Sequence, residues 1–488
     1  MTFLTCAYVC ATWLTSQASQ PVATPQPATA VTGASAWDRS IQPKAGPEPV
    51  LRAPQPTEVV LKNGLRLWMV HKPGLPLTHV QVVVRAGSAQ DPENMPGVAG
   101  FLADVLKSGS VKRTALQLSN HFENKGASFD ISADEESLVL SSTLFSEHFG
   151  PVMEALADVL LRPGLRPKDI ARVRKERLTS WAQLKDDPRA SADITFRKTV
   201  FGNHPYAHAT LGSFKALKNI QAKHLRAFMK SYVTPANTAV VVVGDLALDA
   251  VEKTTQKHWA QWKGVASTPV LPASIDENPL VAFVNKPEAP QTQLMLGHAG
   301  PARSNPDYFR LLMMNAILGG MFNSRINMNL REDKGITYGA RSAFDFMRSS
   351  GLFAVSTAVR TDATFIGIEE IFREIEKIKK EPVLPEELHL AKSRYSLGLP
   401  GFFQTVGSVG SMMGNLFLYD LPLDYYQTVP AQVNAVTLDD VSKMAQTYLR
   451  PGHMHLVAVG DRNQVLPMLE KLGRGPVVER TPEGDAVH

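Results

Sequence analysis

The feature that most constrains this chain is an internal duplication. YVTPANTAVVVVGD at 232–245 returns as YLRPGHMHLVAVGD at 448–461, an offset of 216, and KPGLP at 72–76 is answered by KPEAP at 286–290, an offset of 214. Two markers at nearly one spacing call for two copies of a single domain. We place the copies at 57–258 and 279–475, with a Pro/Ala/Ser-rich linker at 259–278, a leader at 1–56 and a tail at 476–488. Within the first copy, Asn63-Gly64 between short apolar runs reads as a hairpin, and ASFDISADEESLVLSSTL as two antiparallel strands. Helical periodicity follows near 146–160 and 167–184, with Pro167 at a first turn. Runs of hairpins followed by helices predict an α+β fold, each copy a mostly antiparallel sheet packed with helices.

Composition narrows the function classes. A net charge of +5 on 488 residues, without a basic run, excludes a nucleic-acid partner, and no apolar run after the N-terminus is long enough to span a membrane. Cys6 and Cys10 are the only cysteines, so the folded part has neither disulfides nor thiolate ligands. Residues 1–16 are moderately apolar but lack an initial Lys or Arg, and Pro, Ala, Thr and Gln dominate up to residue 56. We expect an export signal and a flexible tether, placing the protein in the periplasm or at the outer membrane. Processing at Cys10 would add a lipid anchor. A disordered cytosolic tail is the alternative.

The stretch PGVAGFLADVLKS at 96–108 is notable for what it lacks. Val98, Phe101, Leu102, Val105 and Leu106 form the apolar face of a helix, and Gly100, Ala103 and Asp104 stand on the other face at i, i+3 and i+4. An H-x-x-E-H metallopeptidase helix needs two imidazoles and a general base there. Close packing of small residues is the plain alternative. From here onward the chain resembles the M16 family of zinc peptidases, the pitrilysin, insulinase and processing-peptidase group, whose helix reads G-x-A-H-F-L-E-H and aligns with GVAGFLAD without a gap. The resemblance places the first metal histidine on Gly100, the base on Ala103 and the second histidine on Asp104. It puts the third ligand near Ser180 or Trp181, where no acid occurs from 178 to 184 and Glu176 is the nearest. It therefore implies two LuxS/metallohydrolase-like domains and no metal on this chain.

In the second copy, PDYFRLLMMNAILGG reads as a helix stopped by Gly319-Gly320, and a helix from about 323 to 333 leads past Gly335 to a strand through Tyr338. LREDKGITYG resembles the family's L-R-E-x-x-G-x-x-Y-G signature. This implies that Arg331 and Tyr338 reach a peptidase site, Arg331 holding substrate and Tyr338 donating to the oxyanion. Asn315, Gly319, Gly320, Phe322, Ser324 and Arg325 form a turn that the family sets beside the substrate cleft. In two-chain bacterial members one subunit carries the zinc helix, while its partner has lost that helix and keeps Arg and Tyr. The present profile implies the second kind, a non-catalytic subunit of a heterodimer. Its expected partner is an M16-like subunit with an intact H-x-x-E-H and the zinc, acting on a peptide substrate, with no cofactor on this chain. A homodimer remains open. The alternatives are a peptide-binding or scaffold protein that takes an extended peptide at a strand edge near 127–132, and a zinc peptidase with unconventional ligands. His204 and His208, separated by Pro205, read as loop packing, and His121 with Glu123 lacks a third ligand.

Overall fold

The computed structural model describes Gly46 and residues 51–265 and 278–487. Most of the leader, with Cys6 and Cys10, and most of the expected linker lie outside these residues. The first sheet contains β1 (Thr57–Val60), β2 (Arg66–His71), β3 (Leu77–Val84), β4 (Asp130–Ala133), β5 (Leu138–Phe145) and β6 (Thr238–Gly244), in the order β1-β2-β6-β3-β5-β4. The second contains β7 (Val281–Asn285), β8 (Gln291–Gly300), β9 (Thr337–Phe346), β10 (Gly351–Arg360), β11 (His455–Gly460) and β12 (Val477–Arg480), in the order β12-β7-β11-β8-β10-β9. The duplication is therefore a duplication of topology. The two strands that end in Gly-Asp, β6 and β11, each lie parallel to one neighbour (β2, β7) and antiparallel to the other (β3, β8).

Two expected boundaries shift. Residues 477–480, expected in a tail, form the sixth strand of the second sheet, parallel to β7, at the edge that β1 fills antiparallel in the first. The first domain also runs past 258. Helix Leu248–Trp259 ends on a fully buried Trp259, and Asn63 Nδ2 donates to the carbonyls of Trp259 and Trp262, tying the start of the domain to its end.

Side-chain alternation explains how the lobes combine. In β6, Val240 and Val242 join the core under the first lobe's own helices, whereas Ala239, Val241 and Val243 face a core that also holds Val409, Met413 and Leu416 of helix Val406–Leu418. In β11, Leu456 and Ala458 face the second lobe's own helices, while Val457 and Val459 meet Ala192, Phe196 and Val200 of helix Pro188–Phe201. Each lobe thus lends one helix to cover the open face of the other's sheet. At the seam, Glu136 accepts bonds from the Tyr206 hydroxyl and from Arg348 N (2.9 and 3.1 Å), joining the β4–β5 turn to the β9–β10 turn.

The helix lent to the first sheet approaches β3 through Gly407, Gly410 and Gly414. A Cβ on Gly410 would sit 2.4 Å from His79 Cδ2. His79 is 7% exposed, bonds Thr143 Oγ1 through Nδ1 at 2.9 Å, and has its pKa lowered to about 4 by burial. Gly410→Leu should destabilise the protein by about 1–3 kcal/mol through overpacking, read as a lower urea midpoint; an unchanged midpoint would refute the packing. The folded ring stays neutral down to about pH 4, whereas the unfolded one protonates near 6.5, so the unfolded chain binds more protons in that window. Stability should therefore fall as pH falls from about 6.5 to 4, by at most about 3 kcal/mol from this group. Denaturation at stepped pH should show a shallower loss for His79→Gln, and equal slopes would refute the assignment.

Candidate functional site

Helix Val98–Leu106 begins under a carboxylate. Asp91 accepts from Gly97 N at 2.6 Å and Ala99 N at 2.8 Å, satisfying N–H groups that have no partner within the helix. Apart from Asp104, every residue of the helix is buried, so the face with Gly100 and Ala103 is packed as tightly as the apolar one.

What packs there is an arginine. Arg177, on helix Pro167–Leu184, donates Nη1 to Asp104 Oδ2 at 2.6 Å and Nη2 to Thr210 O at 2.7 Å, with only 10% of its side chain exposed. Gly100 makes the room: a Cβ there would lie 2.4 Å from Thr210 O and 2.7 Å from Arg177 Nη2. The small residues pack closely, and the carboxylate beside them has a partner. The glycine, the aspartate and the guanidinium form one arrangement.

The expected third-ligand place holds nothing acidic. Trp181 is buried and its Nε1 donates to Gly212 O at 3.1 Å, Ser180 Oγ turns back to Glu176 O on its own helix, and Glu176 is an exposed partner of Arg172. Among the described residues, no group of three or more His, Cys, Asp or Glu side chains is placed to hold a metal ion. Zinc does not fit at Gly100, Ala103 and Asp104, because the space beside Asp104 already holds a fixed positive charge. His204 packs against Phe201 and Tyr206 in a loop. Arg177 and Thr210 were not singled out by the sequence; the usable signal was an arginine one turn before Trp181 on the helix that the resemblance assigns to the third ligand.

The second-lobe constellation divides in two. Ser324 Oγ donates to Met321 O at 2.6 Å, Arg325 forms a bidentate pair with Glu387 (2.7 and 2.6 Å), Asn315 exchanges bonds with Ser342, Gly319 packs on Ser342 and Gly320 on Asn315. These residues hold the turn together. Arg331, Phe322 and Tyr338 instead face outward. Arg331 Nη1 donates to the Tyr338 carbonyl at 3.2 Å, its guanidinium lies 4.8 Å from the ring centre of Phe322, which is 56% exposed, and Tyr338 is 89% exposed. Arg331 sits in a π-helical turn, Met328–Asp333, and a second such turn spans Ala316–Gly320; wide turns of this kind recur at functional sites. Among the described residues, no hydrogen bond or ion pair joins Arg331 or Tyr338 to helix Val98–Leu106.

A two-lobed α+β fold with a metal-less zinc helix and an exposed Arg/Tyr pair defines a degenerate member of a peptidase architecture. Two family models match the chain, "Insulinase (Peptidase family M16)" over residues 66–213 and "Peptidase M16 inactive domain" over 219–395, and together they cover more than half of it. The chain belongs to the M16 family. It is 26% identical to a Pseudomonas fluorescens chain described as a peptidase M16 inactive domain, with a TM-score of 0.79 over 83% of this chain and 98% of that one. It is 23% identical to the uncharacterized zinc protease YmxG of Bacillus subtilis over 79% of this chain and 93% of that one. It is 22% identical to the non-peptidase homolog YmxG of Helicobacter pylori, covering 80% and 90% respectively.

Asp104→Ala should cost about 1–2 kcal/mol, discounted for the half-exposed carboxylate, because Arg177 keeps only the Thr210 carbonyl. An unchanged urea midpoint would show the pair to be idle. Restoring the family ligands as Gly100→His, Ala103→Glu and Asp104→His should still leave zinc substoichiometric by metal analysis, since Arg177 blocks the first position. One zinc per chain in that triple variant would overturn this account.

Proposed function

We propose that this chain is a non-catalytic subunit of a heterodimeric M16-type metallopeptidase. It would complement a partner subunit that carries an intact H-x-x-E-H and the zinc. One contrast carries the reading: the helix that would hold metal is closed by Asp104 and Arg177, whereas Arg331 and Tyr338 are displayed outward, the tyrosine 89% exposed. A tyrosine retained for packing would be buried. The descriptions of two relatives, an inactive domain and a non-peptidase homolog, support the absence of catalysis here. In the complex, Arg331 and Phe322 bind the peptide and the Tyr338 hydroxyl donates to the oxyanion at the partner's site. Gly319, Gly320, Ser324 and Arg325 keep the turn in place. The leader supports export to the periplasm or outer membrane.

A second reading, a peptide-binding scaffold without a role in hydrolysis, is favoured by one observation. Among the described residues β4, one of the two outer strands of the first sheet, pairs only with β5 and can accept an extended peptide as a further strand. Steady-state kinetics on the reconstituted pair separates the two. Tyr338→Phe should leave assembly intact and lower kcat by about 10²-fold, the cost of one oxyanion donor. Arg331→Ala should affect both kcat and KM, since substrate positioning acts in the ground state too. Wild-type rates for both variants in an intact complex would leave the scaffold reading.

A further inference from the structure

Beside the blocked helix lies a cavity of about 790 Å³ that shares Trp181 with the expected third-ligand place and shares no residue with the Arg/Tyr turn. Its floor is aromatic. Trp181 and Phe214 meet at 5.6 Å between ring centres, and Phe214 is 42% exposed. Its walls carry Lys185, Lys198 and Lys215, with Lys185 Nζ 5.0 Å from the centre of the Trp181 ring. The volume suits a bound side chain or a short peptide segment.

Both lobes bring charge to the lining, Arg480 of β12 among it. Among the lining residues, every lysine belongs to the first lobe, and both carboxylates, Glu483 and Asp485, come from the segment after β12. That segment folds as a turn, with Gly484 N donating to Thr481 O at 2.8 Å and Thr481 N to Asp485 O at 2.9 Å, and lines the cavity. Lys185 pairs with Glu483 at 2.8 Å and Lys198 with Asp485 at 2.7 Å. Burial pushes the Glu483 carboxyl up, but the bonds from Lys185 and Thr481 outweigh it and leave the group below the usual carboxylate range. Lys215, exposed on the same wall, has no ion pair among the described residues.

We propose that this cavity is a receptor for an acidic peptide segment of a partner protein, and that the chain's own Glu483-Gly484-Asp485 turn competes for it. The aromatic floor takes the apolar part of the segment, and the three lysines take its carboxylates. With the turn in place two of the three lysines are engaged; displacement frees them. The site is independent of the proposed role in hydrolysis and is read by binding alone.

Fluorescence anisotropy of the full chain with fluorescein-labelled Glu-Glu-Leu-Asp-Glu tests the proposal, with Gln-Gln-Leu-Asn-Gln as the neutral control. The acidic peptide should bind the wild type in a salt-sensitive manner, and the neutral one should not. Glu483→Gln with Asp485→Asn should tighten binding about tenfold by removing the competitor, two surface pairs' worth. Lys215→Ala, a surface change that leaves the turn untouched, should weaken binding several-fold in either background, so the proposal remains testable even if the double variant misfolds. Equal binding of the two peptides, or an affinity indifferent to Lys215→Ala in a folded chain, would overturn the proposal. A folded double variant with wild-type affinity would equally overturn the competition.

Discussion

The structure depends on the exchange of two helices between its lobes. A sheet whose central strand reads AVVVV has two apolar faces, and each lobe supplies its own helices for only one of them. The other face of the first sheet is closed by Val406–Leu418, and that of the second by Pro188–Phe201, so neither sheet is fully buried without the other lobe. The described residues from 51 onward accordingly form one compact unit. The contacts are suited to fixing an orientation: a glycine face lying on His79 and the Glu136 bonds at the seam tolerate little displacement. The spatial relation between the blocked helix and the Arg331 turn is therefore set by the exchange.

Within this frame the metal place has been resolved by charge substitution. A zinc site gathers ligands around a mobile cation. Here the cation is covalent, the Arg177 guanidinium, and Asp104, at the place the resemblance gives to a histidine, is its counter-ion. The same helix that positions Arg177 presents Trp181 one turn later, where it buries its ring and lines the neighbouring cavity. Loss of the metal ligands has left a closed and hydrogen-bonded surface, stable without a bound ion.

Much of the fold was legible because its signals are local. The two Gly-Asp strands, the Asn63-Gly64 hairpin and helix Pro167–Leu184 each follow from periodicity and turn chemistry within a short window. The exchanged helices do not. Val406–Leu418 carries three glycines, each costing about 1 kcal/mol of helix propensity, and the compensation comes from contact with β3, more than 300 residues away in sequence. Pro188–Phe201 likewise shows its apolar face only when the second sheet is known. β12 is four residues long and only half-buried, too weak a pattern to read as a strand. At the site, the absence of ligands at Gly100, Ala103 and Asp104 was visible at once. Its cause was not, since Arg177 is 73 residues from Asp104 and becomes its partner only through helix packing.

The central claim is that the chemistry must come from another chain while this one presents Arg331 and Tyr338 to the substrate. Diffraction at the zinc absorption edge, on crystals of the assembled pair with a bound non-cleavable peptide, tests it most directly. The account predicts a single zinc per pair, held by the partner, with Arg331 and the Tyr338 hydroxyl in contact with the peptide. Zinc beside Asp104, or a peptide bound out of reach of both side chains, would contradict it.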